Sequence, residues 1–238
     1  MGTRSLICVM LAGQYKVAQY AQWDGYPSGQ GATILDFLHR FNRDDFAKKV
    51  SLTRFIAADE LKAIHAETEH DDDFKEKYAQ LSRDMGGKIL EFIANAPFGV
   101  TLFSNIEFAN ESLFCEWAYV VDLDKNTFEV FEGFNKEPVP EGERFAGGVG
   151  TNEYAPVRKV AEYSLDDLPT IEMFISDLEP SEDEDEDAGE DEPMTVDEVK
   201  LVLDQLRSNS SNYDNAEVLN RICNYIEANI DEFVEIYR

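Results

Sequence analysis

Residues 177–192 hold eleven carboxylates, among them the unbroken run Glu182-Asp183-Glu184-Asp185-Glu186-Asp187, and no base. Like charges at that density repel one another and bring almost no apolar surface to bury, so 177–193 reads as an acidic disordered linker. It divides the 238-residue chain into a body over 1–176 and a tail over 194–238. The body must build its own core, and the composition suffices: 43% of the chain is hydrophobic, with 16 Phe and 10 Tyr. A chain of this size buries about 70% of its extended-chain surface without disulfides or metal.

The charge constrains partners. The formal net charge is −28, and taking away the eleven linker acids still leaves −17. Nucleic acids and anionic membrane surfaces are repelled by such a field, so neither is expected as a partner. One stretch runs the other way. From His39 to Arg54, Arg40, Arg43, Lys48, Lys49 and Arg54 outnumber Asp44 and Asp45 by three. It reads either as a helix face paired with acids elsewhere or as a small anion-binding patch.

Cys8, Cys115 and Cys223 form no CxxC pair, and Met1-Gly2-Thr3-Arg4 has neither a basic nor a long apolar signal region. Unpaired thiols without a secretion signal lead us to expect a cytoplasmic setting, with the nucleus as the alternative. No run of about 18 apolar residues suggests a membrane span.

Ser5 to Leu11 and Tyr15 to Gln22 read as a hairpin about an Ala12-Gly13-Gln14 turn. The second strand places Tyr15, Val17, Gln19 and Ala21 on one face. Its faces are mixed in character, which predicts a hairpin covered on both sides. Ile34, Leu35, Leu38 and Phe41 recur at helical spacing over 32–42, and further helices are expected at 58–66 and 73–95. The last carries a stripe of Phe74, Tyr78, Leu81, Met85, Ile89, Phe92 and Ile93, with Gly86-Gly87 as its kink or close-packing point. Glu116–Asp122 and Thr127–Glu132 flank a second turn, and Val157–Tyr163 supplies one more strand. The class expected is α+β: a mostly antiparallel sheet built from hairpins, with inserted helices. In the tail, Thr195 and Glu198 form a capping-box pattern before an amphipathic stretch. With a second such stretch from Ala216 to Tyr237, it makes a two-helix segment suited to docking back, dimerising or gripping a protein partner.

The densest cluster of special residues is Gln22-Trp23-Asp24-Gly25-Tyr26-Pro27-Ser28-Gly29-Gln30-Gly31. Three glycines and a proline ahead of a helix describe a tight reversal. The spacing is neither a Walker loop nor a dinucleotide fingerprint. One reading is a site for a small polar ligand at exposed amides; the other is an architectural turn in which Asp24 caps amides, Trp23 and Tyr26 pack on the sheet and Gln30 satisfies a loop carbonyl. With Gly2-Thr3-Arg4, the block resembles an uncharacterised family of fungal and bacterial-virus proteins. These proteins begin with Gly-Thr-Arg and carry a (Trp/Phe)-Asp-(Gly/Ser)-Tyr-Pro-x-Gly-x-Gly segment. The likeness covers 2–31 well and 116–133 more loosely. It implies no activity, but it marks Arg4, Gln22, Asp24, Tyr26, Pro27, Gly29 and Gly31 as positions of interest.

The candidate binding residues are therefore Arg4, Gln22, Trp23, Asp24, Tyr26, Gly29 and Gly31. A catalytic use, as a small-molecule hydrolase or transferase, has Arg4, Asp24, Gln22 and Tyr26 orienting a substrate, with Asp24 as base. Cys8 lies mid-strand between Ile7 and Val9 without a His partner, which suits core better than a nucleophile. His65 and His70 do not share a helix face. Asp122-Leu-Asp124-Lys-Asn126 opens like a calcium loop, but Thr127 and Gly133 fall where that loop needs Gly and Glu. No metal or cofactor is expected. Ser181, followed by acids, suits an acidophilic kinase. The function expected first is that of an acidic binding or interaction protein, acting through the tail helices, the linker or a small polar ligand.

Overall fold

The computed structural model describes residues 2–67, 77–179 and 200. The acidic linker, the tail helices, Ser181, His70 and Cys223 lie outside the described residues.

Ser5–Leu11 (β1) and Gln14–Ala21 (β2) form the first hairpin. Its turn is two residues long, with φ of 54° at Ala12 and 69° at Gly13. Two successive positive φ values match the right-handed twist of the strands, a geometry that glycine adopts freely and alanine only under strain. The amides of that turn are both taken: the Asp124 carboxylate accepts the Ala12 and Gly13 N–H groups, each at 2.8 Å.

The register slips between Val9 and Met10, which pair with Val17 and Tyr15. Lys16 is the extra residue of a β-bulge, and a bulge reverses the facing of what precedes it. Tyr15 therefore leaves the Val17 and Ala21 face expected from simple alternation and packs with Met10 and Cys8 on the other.

Between the first hairpin and the second lie helices Ala32–Arg40 (α1), Arg43–Ser51 (α2), Ala58–Glu67 (α3) and Lys88–Asn95 (α4). A two-residue parallel pair, Arg54–Phe55 (β3) with Thr101–Leu102 (β4), stands apart from the main sheet. The second hairpin, Trp117–Asp122 (β5) and Thr127–Glu132 (β6), is followed by Arg158–Ser164 (β7) and Ile171–Leu178 (α5). The main sheet runs β2-β1-β5-β6-β7. Every pairing in it is antiparallel except β1 with β5, where Ser5 meets Trp117 and Met10 meets Asp122 in parallel. The class is α+β.

Burial explains the mixed faces of the first hairpin, since Ser5 to Val9 are buried without interruption. On one face Ile7, Val9, Tyr119, Val121, Phe128 and Val130 meet Ile34, Leu35, Phe46, Ile89, Ile93 and Phe174 from the helices. On the other, Leu6, Cys8, Ala118, Val120 and Phe131 meet Ala109 of a short 3₁₀ helix and Cys115, Phe145 and Val157 from loops. Each large apolar side chain so buried contributes about 1.5–3 kcal/mol, so packing holds both layers to the sheet. Asn42 and Thr170 cap α2 and α5, accepting the Asp45 and Met173 N–H groups at 3.0 and 3.3 Å.

The helix expected over 73–95 does not run through. The chain makes a short 3₁₀ turn at Ala79–Leu81, leaves helical geometry, and resumes at Lys88. Gly86, at φ 52°, cannot continue a right-handed helix. A Cβ there would strike the Gln30 side chain. The glycine pair thus serves both as a break and as a close-packing point. Among the described residues, no helix is long and apolar enough to cross a membrane.

Candidate functional site

The segment from β2 to α1 folds back as a locked turn. Gly25 donates its N–H to the Thr3 carbonyl (2.9 Å), and Gln30 donates to Asp24 (2.7 Å). Gly29 and Gly31 both donate to the Tyr26 carbonyl, at 3.0 and 3.2 Å, closing one π turn over Pro27–Gly31. Asp24 takes φ 55°, a conformation that Asp tolerates better than bulkier residues. Gly31 admits no side chain, because a Cβ would lie 2.8 Å from the Phe174 ring and 3.1 Å from that of Tyr119.

The 82–87 loop completes the lock. Gln19 donates to the Ser82 carbonyl (3.0 Å), and Gln22 N–H donates to Arg83 (3.2 Å). The Trp23 indole donates to Asp84 (3.1 Å). Gln30 works in both directions: its Oε1 accepts the Gly87 N–H at 2.6 Å while its Nε2 donates to the Trp23 carbonyl at 3.0 Å. A helix over these residues would have spent the same groups internally, which is why the break and the turn belong together. From below, the buried Tyr119 hydroxyl donates to Gly25 at 2.8 Å. From the side, the Glu179 carboxylate accepts from the Ser28 N–H and hydroxyl, each at 3.2 Å.

The side chains of the block are less gathered than its backbone. Trp23 and Tyr26 are 48% and 50% exposed rather than packed on the sheet. Asp24 is exposed too, and among the described residues no hydrogen bond or ion pair engages its carboxylate, so it caps nothing. Arg4 turns to Glu116, whose Oε1 lies 3.6 Å from its Nε, and its guanidinium stacks 4.9 Å from the Phe114 ring centre. Arg4, Gln22, Asp24 and Tyr26 therefore share neither a hydrogen bond nor an ion pair. Phe114 and Phe134, 38% and 54% exposed, stand at the same end of the sheet, where β1 and β5 begin and β2 and β6 end.

A second polar cluster sits on the loop-covered face and was not singled out from the sequence. Arg144 donates through Nη2 to Asp122 and Glu129, both at 2.6 Å, and through Nε to Glu129, also at 2.6 Å. Only 8% of its side chain and 3% of each carboxylate partner is exposed. Burial pushes the Asp122 carboxyl up, but the Arg144 hydrogen bond and the Lys125 and Asp124 amides outweigh it and hold it below its ordinary value. Burial and the nearby Cys8 push the Tyr15 phenol up to about 12. The cluster ties Arg144 of the 133–157 loop to Asp122 of β5 and Glu129 of β6, so its evident work is to pin that loop to the sheet. Arg144 stands among Pro140, Gly142 and Gly147, a context that reads as plain loop. The only sequence signal is the acid pair Asp122 and Glu129, at even and odd positions that become one face once the hairpin forms.

The other candidates resolve into structural roles. Asp122 accepts the Asp124 and Lys125 N–H groups at 3.1 and 2.9 Å, so the calcium-like segment is a hairpin turn. Among the described residues no group of His, Cys, Asp and Glu is placed to hold a metal ion. Burial drives the Cys8 and Cys115 thiols well above their ordinary range. In the basic stretch, Arg40 pairs with Asp36 (2.8 Å), Arg43 with Asp166 (2.7 Å), Lys48 with Asp45 (2.8 Å) and Arg54 with Glu60 (2.7 Å). Lys49 donates to the Ala96 carbonyl at 2.6 Å. The stretch is a set of engaged cations on α1, α2 and β3.

Compared with known protein families, curated proteins and solved structures, the chain matches none.

Proposed function

We propose that the protein is a non-catalytic interaction protein whose contact surface centres on Trp23 and Tyr26 and whose partner is a basic protein segment. The observation behind this reading is the contrast within one turn: a backbone tied on three sides carries two half-exposed aromatic rings. Rigid Trp and Tyr side chains give large contact area at small entropic cost, and they dominate the binding energy of protein interfaces. Asp24 lies between them in the sequence, and the net charge of −28 favours cationic partners. The catalytic alternative built on Arg4, Gln22, Asp24 and Tyr26 draws less support, because Arg4 is engaged by Glu116 and the four side chains share no hydrogen bond or ion pair among the described residues. We also propose kinship with the uncharacterised fungal and bacterial-virus proteins, on residues 2–31 chiefly; it brings no activity with it.

The test is fluorescence anisotropy of a labelled Lys/Arg-rich peptide against the full chain, with an acidic peptide of equal length as control. Trp23→Ala and Tyr26→Ala should each weaken basic-peptide binding about tenfold or more while leaving the melting temperature within a few degrees. Equal binding by both variants would mean that net charge alone holds the peptide, and the reading would fall.

A further inference from the structure

Of the six exposed aromatic rings among the described residues, Trp23, Tyr26, Phe114 and Phe134 stand at one end of the main sheet. The strand register puts them there. Ala21, Ser5, Trp117 and Glu132 lie abreast across β2, β1, β5 and β6. Trp23 follows the end of β2 by two residues, and Phe134 follows the end of β6 by two. Three strand spacings, about 14 Å, separate those two ends. Between them Arg4 and Glu116 precede β1 and β5, and the Arg4 guanidinium stacks on Phe114.

Phe134 is held as Trp23 is. Its N–H donates to the carbonyl of the buried Ser112 at 2.7 Å, and the Asn135 N–H donates to the Ser112 hydroxyl at 3.2 Å. Asn135 Nδ2 donates to the Pro156 carbonyl at 2.8 Å. A Cβ on Gly133 would strike the Cys115 and Ser112 carbonyls, so the chain before β5 and the chain after β6 are pressed together. Phe134 itself takes φ 51°, a left-handed conformation that bulky side chains avoid. Burial does not repay that strain, because the residue stays 54% exposed. Glycine would hold the same turn without strain. Strain that serves only to display a ring belongs with the strained residues that cluster at ligand contacts.

The form of the occupant follows from charge and spacing. Arg4 is compensated by Glu116 at 3.6 Å, so the middle of the row does not repel a cation, and the chain as a whole carries −28. In an extended chain, alternate side chains face one way, and residues four apart are separated by about 14 Å. That is the distance between the two turns.

We propose that the contact surface of Trp23 and Tyr26 continues across the sheet end to Phe114 and Phe134. Its occupant is an extended basic segment of about five residues or more, with apolar side chains four positions apart seated on the two turns. It rests on the Trp23 interaction proposed above and adds to it the footprint and the form of the partner.

Two labelled twelve-residue Lys/Arg peptides test the assignment by fluorescence anisotropy against the full chain. One carries two leucines four positions apart, and the other carries the same two leucines side by side. The spaced peptide should bind about fivefold or more tighter. Phe134→Gly relieves the positive φ as it removes the ring, so the melting temperature should hold or rise while binding of the spaced peptide weakens about fivefold or more. Phe114→Ala should weaken it likewise, and it decides the matter if the first variant fails to fold on circular dichroism. Undiminished binding in the folded variants, or equal binding of the two peptides, would overturn the extension, while Trp23→Ala still weakening both peptides would leave the Trp23 surface standing. Absence of binding to the wild type would overturn both.

Discussion

Tyr119 donates its hydroxyl to the carbonyl oxygen of Gly25 at 2.8 Å, joining the centre of the core to the back of the Trp23 turn. The ring is fully buried and stacks at 6.3 Å on Phe128. Tyr119→Phe keeps that packing and deletes only the hydrogen bond, leaving a buried carbonyl without its donor. Urea unfolding should show a loss of about 1–3 kcal/mol. Hydrogen exchange should quicken first at Gln30, whose N–H closes the same turn on Asp24.

Arg144→Ala strips the counter-charge from two carboxylates that are only 3% exposed. The expected cost is about 3–5 kcal/mol, since the penalty of burying Asp122 and Glu129 remains when their partner goes. The acid limb should change as well. With its folded pKa below the unfolded value, Asp122 contributes stability that is present above about pH 4 and lost as the pH falls through the folded value. Urea unfolding between about pH 2 and pH 6 should slope upward in the wild type and more weakly in Arg144→Ala. Parallel slopes would show that Asp122 draws its depression from elsewhere.

Gly86→Ala and Gly13→Ala form a matched comparison. Both glycines hold positive φ, 52° and 69°. Nothing surrounds the Cβ position of Gly13, whereas that of Gly86 is filled by Gln30. The Gly13 change should cost about 1–2 kcal/mol from backbone strain alone. Gly86→Ala should cost more and should also raise the fluorescence mobility of Trp23, because Gln30 must release either Gly87 or the Trp23 carbonyl.

Cys8 and Cys115 are both fully buried. In a Cys223→Ser background, native protein should give no rapid reaction with Ellman's reagent, and both thiols should appear on addition of denaturant. Fast labelling of either one without denaturant would place an opening of the loop layer over the sheet among the native fluctuations.

Local pattern carried much of this architecture. The alternation in 5–22 and 116–132 locates both hairpins, the mixed faces of Tyr15–Gln22 announce cover on two sides, and Ile34, Leu35 and Leu38 mark α1. What escaped was set by distance. The bulge at Lys16 is a property of pairing, not of one strand, so simple alternation puts Tyr15 on the wrong face. The 73–95 stripe has helical period, yet Gly86 yields to tertiary bonds with Gln30 and Trp23 that no local window contains. The Arg144 cluster unites residues 122, 129 and 144 only after the loop has folded over the sheet. For the Trp23 block, the reversal and the Gln30 bond to a loop carbonyl were legible, while the outward facing of Trp23 and Tyr26 was not.

The parallel seam between Ser5 and Trp117 bears on how the chain is born. The first hairpin leaves the ribosome with its inner edge bare, and its proper neighbour is not complete until Asp122 has been made. At about 5–20 residues per second, the hundred or so intervening residues impose a wait of roughly 5–20 s. Throughout that interval Leu6, Ile7, Cys8 and Val9 face water on a strand ready to pair with any passing chain. Nascent molecules of this protein should accordingly lean on chaperones early in synthesis, and far less once the second hairpin has emerged.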